Sequence, residues 1–395
     1  MTRAKVCDII QERPGVQEVE VFLLSSGCRE KAVYYTSDTS RLQQGDEVII
    51  NTTAIDLALG TGGYHFVVAK INDAQASEDL YPSRWGHVMK LRYTPWQLSV
   101  DTVEEQGSPY HALFCDESLS LELTPVIIAE LHSLLPMLCL AIHAFSREKR
   151  IVYVMPDGSS LPMTISRHVH HLKQAGLLSA TVSSGQAWGG DFEAVNLHTG
   201  LLTAKHLGKA DIIICLLGPG VVGTGTPLGF SGVQLADIIH AASLLDGVPI
   251  VVPRVSFADP RPRHLGISHH TRTVLQRFVL TPTLIPLPQY EAQLQAILEN
   301  QMCTAGWMER HYVITRKAQS LEKLLDLQRQ YPESIASMGR SVTDDPAPFQ
   351  AAYLAAELGV FASDPQKNSL ISSPHARNAP AILAESWACL QTGEA

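Results

Sequence analysis

The chain has 395 residues, of which 45% are hydrophobic and 17% charged, with a formal net charge of −9. This length supports two or three domains with sizeable cores, and the composition is that of a globular protein. The acidic balance excludes a general nucleic-acid surface or an anionic-membrane surface, while leaving room for a local basic site.

Residues 1–115 are expected to form a β-rich, barrel-like domain. EVEVFLLS, KAVYYTS, DEVIINTT and YHFVVAKI are short runs rich in β-branched and aromatic residues, separated by turn sequences such as QQGDE and GTGGY. WGHVMKLRYTPWQ, from Trp85, reads as a further extended segment. The opening MTRAKVCDIIQERPG has no apolar run of secretory length, and the seven cysteines include no C-x-x-C pair. A cytoplasmic protein with reduced thiols is therefore expected.

Residues 116–148 read as a largely helical linker. The apolar stretch from Leu123 to Phe145 is interrupted by Glu130, His132, Pro136 and His143, which suits a buried, kinked helix and argues against a membrane span. From 149 to 330 strand and helix alternate. RIVYVM, ATVSS, ADIIICLL, VPIVVPRVS and TLIPLP are the strands, so an α/β domain with a doubly wound, mainly parallel sheet is expected. Residues 331–395 read as a C-terminal helical extension and an irregular tail, with a capped helix in SVTDDPAPFQAAYLAAELGVF.

Ligands of open parallel sheets bind at the carboxyl ends of the strands. Four strand-to-helix loops stand out there, while the opposite loops (KQAGLLSA, HLGKA, LLDGVP) read as plain turns. PDGSSLP holds Asp157, and SGQAWGGD holds Gly189 and Gly190. GPGVVGTGTPLGFSG holds Gly218, Gly220, Gly223, Thr224, Gly225 and Thr226, and has six glycines in fifteen residues. Such a loop lets backbone N–H groups approach an anion. It lacks the lysine of a phosphate-binding P-loop, and GTGTPLG misses the dinucleotide-binding glycine spacing by one residue.

The fourth loop, FADPRPRHLGISHH, gathers Asp259, Arg261, Arg263, His264, Ser268, His269 and His270. Guanidinium forks suit phosphate or carboxylate oxygens. A structural loop, with Asp259 bridging an arginine, is the second reading. A metal site ranks third, because neighbouring His269 and His270 should point apart on a helix and the arginines should repel a cation.

These motifs resemble an uncharacterised bacterial family of unknown function. The shared patterns are NTTA…LGTGG.HFV, H.MK.RYTP.Q, GPG..GTGT..GF.G and DPR.RH.G.SHHT, here Asn51–Val67, His87–Gln97, Gly218–Gly232 and Asp259–Thr271. The resemblance implies no activity.

The residues themselves predict binding, and enzymatic transformation as an open question, of a small anionic metabolite that is phosphorylated or nucleotide-like. The glycine loop would cradle it, with Gly189, Gly190, Ser268, Arg261 and Arg263 as further contacts. His264, His269 or His270 would be the acid/base, with Asp157 or Asp259 orienting it or, in the third-ranked reading, holding a metal. No metal is expected, the cofactor is open, and a homo-oligomer is expected. A non-catalytic ligand sensor or assembly subunit, using the β domain as a partner surface, is the alternative.

Overall fold

The structure is a computed structural model that describes residues 1–36, 41–57, 62–71, 84–94, 96–156, 158, 160–364 and 378–392. It divides into two units, Met1–Asp101 and Thr102–Ala395.

In the first unit five strands close a barrel: β1 (Thr2–Arg13), β2 (Val16–Leu23), β3 (Arg29–Tyr35), β4 (Glu47–Asn51) and β5 (Tyr64–Lys70). They run in the order β1-β2-β3-β5-β4, with only β3 and β5 pairing in parallel. Alternation fills the interior with Ala4, Val6, Val19, Val21, Ala32, Val48 and Ile50. Pro14 and Gly15 turn β1 into β2, and Gly15 takes the φ of 78° that such a turn needs at its second corner. The four strands expected from the β-branched runs are present, and β1 is an addition. Its charged residues alternate with small apolar ones, which hides it in composition.

WGHVMKLRYTPWQ is not one extended segment. Within it only Val88–Lys90 is a strand, β6, which pairs antiparallel with β7 (Leu98–Val100) just beyond its end. The chain turns between them through Leu91 and Tyr93, both at positive φ.

The second unit is an eight-stranded, all-parallel sheet with helices on both faces. Its strands are β8 (Pro125–Ala129), β9 (Ile151–Met155), β10 (Ala180–Ser184), β11 (Phe192–Ala194), β12 (Ile212–Leu216), β13 (Val248–Val251), β16 (Leu284–Gln289) and β17 (Tyr312–Lys317). A small antiparallel pair, β14 (Val255–Ser256) with β15 (Gly266–Ile267), follows β13. The sheet order is β11-β10-β9-β12-β8-β13-β16-β17. PVIIA, IVYVM, IIICL and VPIV are buried at every position, as strands covered on both faces must be. Helices Leu135–Phe145, Arg167–Gln174 and Ala347–Ala362 pack on one face, and Leu197–His206 and Leu235–Leu244 on the other.

Three expectations are corrected. Residues 116–148 are not mainly helical, since β8 within them is a central strand. A run of five buried apolar residues has no periodicity to separate strand from helix. Phe192–Ala194 and Tyr312–Lys317, absent from the five expected strands, are the two edge strands. In the tail, Ala379–Thr392 is a helix, so that stretch is not irregular.

Candidate functional site

All eight strands run the same way, so the loops after β8, β9, β10, β12 and β13 leave from one edge of the sheet. At its middle, β12 and β8 are neighbours. The helix after β8 (Leu135–Phe145) covers one face and the helix after β12 (Leu235–Leu244) the other. Loops that part to opposite faces open a crevice between them, the topological switch point at which open α/β sheets bind ligands.

The ends of β12, β8 and β13 meet there. Glu130, the residue after β8, is 3% exposed and points its Oε1 at two partners. Arg254 Nη1, from the segment after β13, donates to it at 3.2 Å, and His270 Nδ1 lies 2.6 Å away. A contact that short with a carboxylate calls for a proton on Nδ1, the tautomer that, in the neutral ring, carries its lone pair on Nε2. The His270 ring stacks on Phe230 of the glycine loop, centroids 3.9 Å apart and planes 4° apart. Its Nε2 lies 3.7 Å from where a Cβ on Gly223 would sit.

His264 and His269 join this ring. One ring nitrogen of each of His264, His269 and His270 lies within 4.8 Å of the others. Ser268 produces the convergence. It caps the helix His269–Thr273 by accepting from the His270 N–H at 3.2 Å, and it holds His264 Nδ1 at 2.8 Å. His269 and His270 sit in the first turn, where their rings meet edge to face at 4.4 Å. The expectation that sequence neighbours point apart therefore fails at this helix start. His269 Nε2 is buried without a hydrogen-bond partner. Burial, reinforced by Arg254 and Arg261, pushes the His264 imidazole down to about 3. Burial, His270 and Arg263 push His269 down to about 4. Both rings are therefore held in the neutral form at pH 7.

The arginines divide. Arg261 is bound by its own neighbour: Asp259 accepts its Nε at 2.9 Å, its Nη2 at 2.7 Å and its backbone N–H at 3.0 Å. Arg340 adds a contact to Asp259 at 3.2 Å. The Arg261 hydrogen bonds hold the Asp259 carboxyl well below the usual carboxylate range. Asp259 thus fixes Arg261; among the described residues no hydrogen bond joins it to the histidines, although its charge acts on His264. Arg263 is exposed and has no ion-pair partner among the described residues. Its Nη2 lies 4.0 Å from where a Cβ on Gly225 would sit.

The glycine loop doubles back on itself as a tongue. Ser231 N–H donates to Val222 O, and Thr224 N–H donates to Gly229 O, each at 2.9 Å. Thr224 and Thr226 hydroxyls close its tip on Gly229. No hydrogen bond engages the N–H groups of Gly223, Gly225 or Thr226 among the described residues. Gly220 and Gly225 are at φ of 94° and 77°. Gly218, at the loop's root, is buried.

Gly189 and Gly190 behave differently. Gly189 N–H donates to Glu193 Oε1 at 2.5 Å and Gly190 N–H to Ser183 Oγ at 3.0 Å. Asp157 lies outside the described residues.

The sequence reading missed Glu130, Arg254 and Phe230. Glu130 had a signal: a lone acidic residue directly after five apolar ones marks the end of a buried strand, once the run is read as a strand.

The fold and this edge define a doubly wound α/β protein carrying an added β-barrel. The profile of the family described as "Protein of unknown function (DUF3866)" matches residues 31–356, and the chain belongs to that family. No curated protein and no solved structure matches it. Among the described residues no helix is long and apolar enough to cross a membrane.

Proposed function

We propose that this edge binds a small anionic metabolite, phosphorylated or nucleotide-like, on the glycine tongue and Arg263. One observation carries the reading. The N–H groups of Gly225 and Thr226 make no hydrogen bond among the described residues, and the exposed Arg263 guanidinium, with no ion-pair partner among them, comes within 4.0 Å of the Cβ position at Gly225. Amides and guanidinium only donate, so together they select an acceptor-rich anion. The switch point between β12 and β8 adds support, because it is the ordinary ligand crevice of such sheets.

The contact set is smaller than the sequence suggested. Arg261, Gly189 and Gly190 already have intramolecular partners, and Ser268 is scaffolding for the histidines. The histidine cluster forms the floor beneath the tongue, through His270 and Gly223.

Calorimetry with inorganic pyrophosphate and adenosine monophosphate as probes tests the reading. Wild type should bind at least one of them, and Arg263→Ala should weaken binding about tenfold or more, as loss of a charge-assisted hydrogen bond does. Arg263 is exposed, so its removal should leave the melting temperature nearly unchanged. Absence of binding by wild type, or equal binding by the variant, would overturn it.

A further inference from the structure

We propose that His264, His269 and His270 form a binding site for a divalent late transition metal of the zinc class, with Glu130 and Ser268 orienting two of the three rings. The three ring nitrogens already lie within 4.8 Å of one another. Zinc–nitrogen bonds of about 2.0–2.1 Å put tetrahedral ligands roughly 3.4 Å apart, so the widest pair closes by little more than an ångström. The half-buried His269 ring can supply that movement by rotating, and its buried Nε2 has no hydrogen-bond partner to give up.

The outer contacts match what a metal-binding imidazole needs. Each ligating ring is normally held through its other nitrogen by a carboxylate, hydroxyl or carbonyl. His270 Nδ1 is held by Glu130 at 2.6 Å and His264 Nδ1 by Ser268 at 2.8 Å. Both contacts leave the second nitrogen of the ring for an ion.

The electrostatic objection from the sequence is weaker than it looked. Arg261 is paired with Asp259 and Arg254 with Glu130, which offsets part of their charge; Arg263 at the tongue and Arg272 remain as positive charges that act on His269. Three protein ligands leave one position of a tetrahedral ion for an exogenous group. In this arrangement the histidines serve as ligands and not as an acid/base. The proposal does not depend on anion binding, and metal can bind with or without it.

The test is metal content by mass spectrometry after purification without chelator, followed by Co²⁺ titration of chelator-stripped protein read by visible absorption. Wild type should hold about one equivalent and give the intense absorption of tetrahedral cobalt. Glu130→Gln should weaken Co²⁺ binding about 10–100-fold, and His269→Ala should abolish it. His264 is 2% exposed, so His264→Ala can damage the fold. The half-buried His269 supplies the primary variant for that reason, with circular dichroism to confirm folding. Arg263→Ala should keep the metal and lose pyrophosphate, which separates this site from the anion reading. Folded wild type without metal or cobalt absorption, or metal retained in full by folded His269→Ala, would overturn the proposal.

Discussion

Two glycine-rich loops leave the same edge of the sheet and look alike in sequence, yet they differ in what their backbones do. In SGQAWGGD, Gly190 is required by packing, while Gly185 and Gly189 take positive φ of 62° and 85°. A Cβ on Gly190 would meet the Ser183 backbone N at 2.8 Å and Phe192 O at 2.9 Å, and the N–H groups of Gly189 and Gly190 have acceptors inside the protein. In the tongue a Cβ on Gly225 would meet, among the described residues, nothing closer than the Arg263 guanidinium at 4.0 Å, and its N–H has no acceptor among them. Both loops use glycine at positive φ, Gly185 and Gly189 in one and Gly220 and Gly225 in the other, so the difference between them lies in where the N–H groups go. Glycine content alone therefore does not mark a ligand cradle; the destination of the N–H groups does.

The sharpest way to break this comparison is to fill both loops. Gly190→Val has to push backbone aside and should cost about 3 kcal/mol of stability, with probe affinity unchanged in the folded fraction. Denaturant unfolding together with calorimetry reads both quantities, and a stable Gly190→Val that loses pyrophosphate would reverse the roles of the loops.

Acid gives a second handle on the edge. His132, three residues beyond β8, is buried between Tyr153 Oη at 3.1 Å and Ser166 Oγ at 2.6 Å. Burial pushes its imidazole down to about 3 from an ordinary 6.5. The folded state therefore favours the neutral ring. The stability it supports is complete above pH 6.5 and is lost as pH falls toward 3, with roughly 3 kcal/mol gone by pH 4. The unfolding free energy of wild type should fall between pH 7 and 4 by that much more than that of His132→Gln. Parallel profiles would mean that His132 is readily protonated in the folded protein.

Smaller effects sharpen the picture of the tongue. Gly225→Val forces a β-branched residue to a φ of 77° and should cost about 1–2 kcal/mol. Its main effect should be on pyrophosphate, weakened at least tenfold, which calorimetry would register. A loss of similar or lesser size is expected for Ser268→Ala, about 1 kcal/mol from the lost helix cap. A change near zero by denaturant unfolding would show that the cap is dispensable.

The sequence made much of this edge readable, and its gaps have physical causes. Alternating strand and helix revealed the parallel sheet, because strands covered on both faces must be continuously apolar. That same continuity hid β8, and with it Glu130, since a fully buried run has no period. The approach of His264, His269 and His270 was hidden for another reason. It depends on a helix starting at Ser268 and on β14 pairing with β15, which fold the loop back so that His264 reaches the helix start. Spacing within DPRPRHLGISHH contains neither fact. The pairing of Arg261 with Asp259, two residues apart, was foreseeable as a local bridge, whereas the free state of Arg263 required the structure.

The central claim is that the tongue and Arg263 receive an anion while the Gly189–Gly190 loop does not. Crystals soaked in tungstate, a phosphate analogue located by anomalous scattering, test it directly. The account predicts one tungstate within hydrogen-bond reach of Arg263 Nη2 and the N–H groups of Gly225 and Thr226, absent from Arg263→Ala crystals. Tungstate bound at Gly189 and Gly190, or a tongue left empty in wild type, would contradict it.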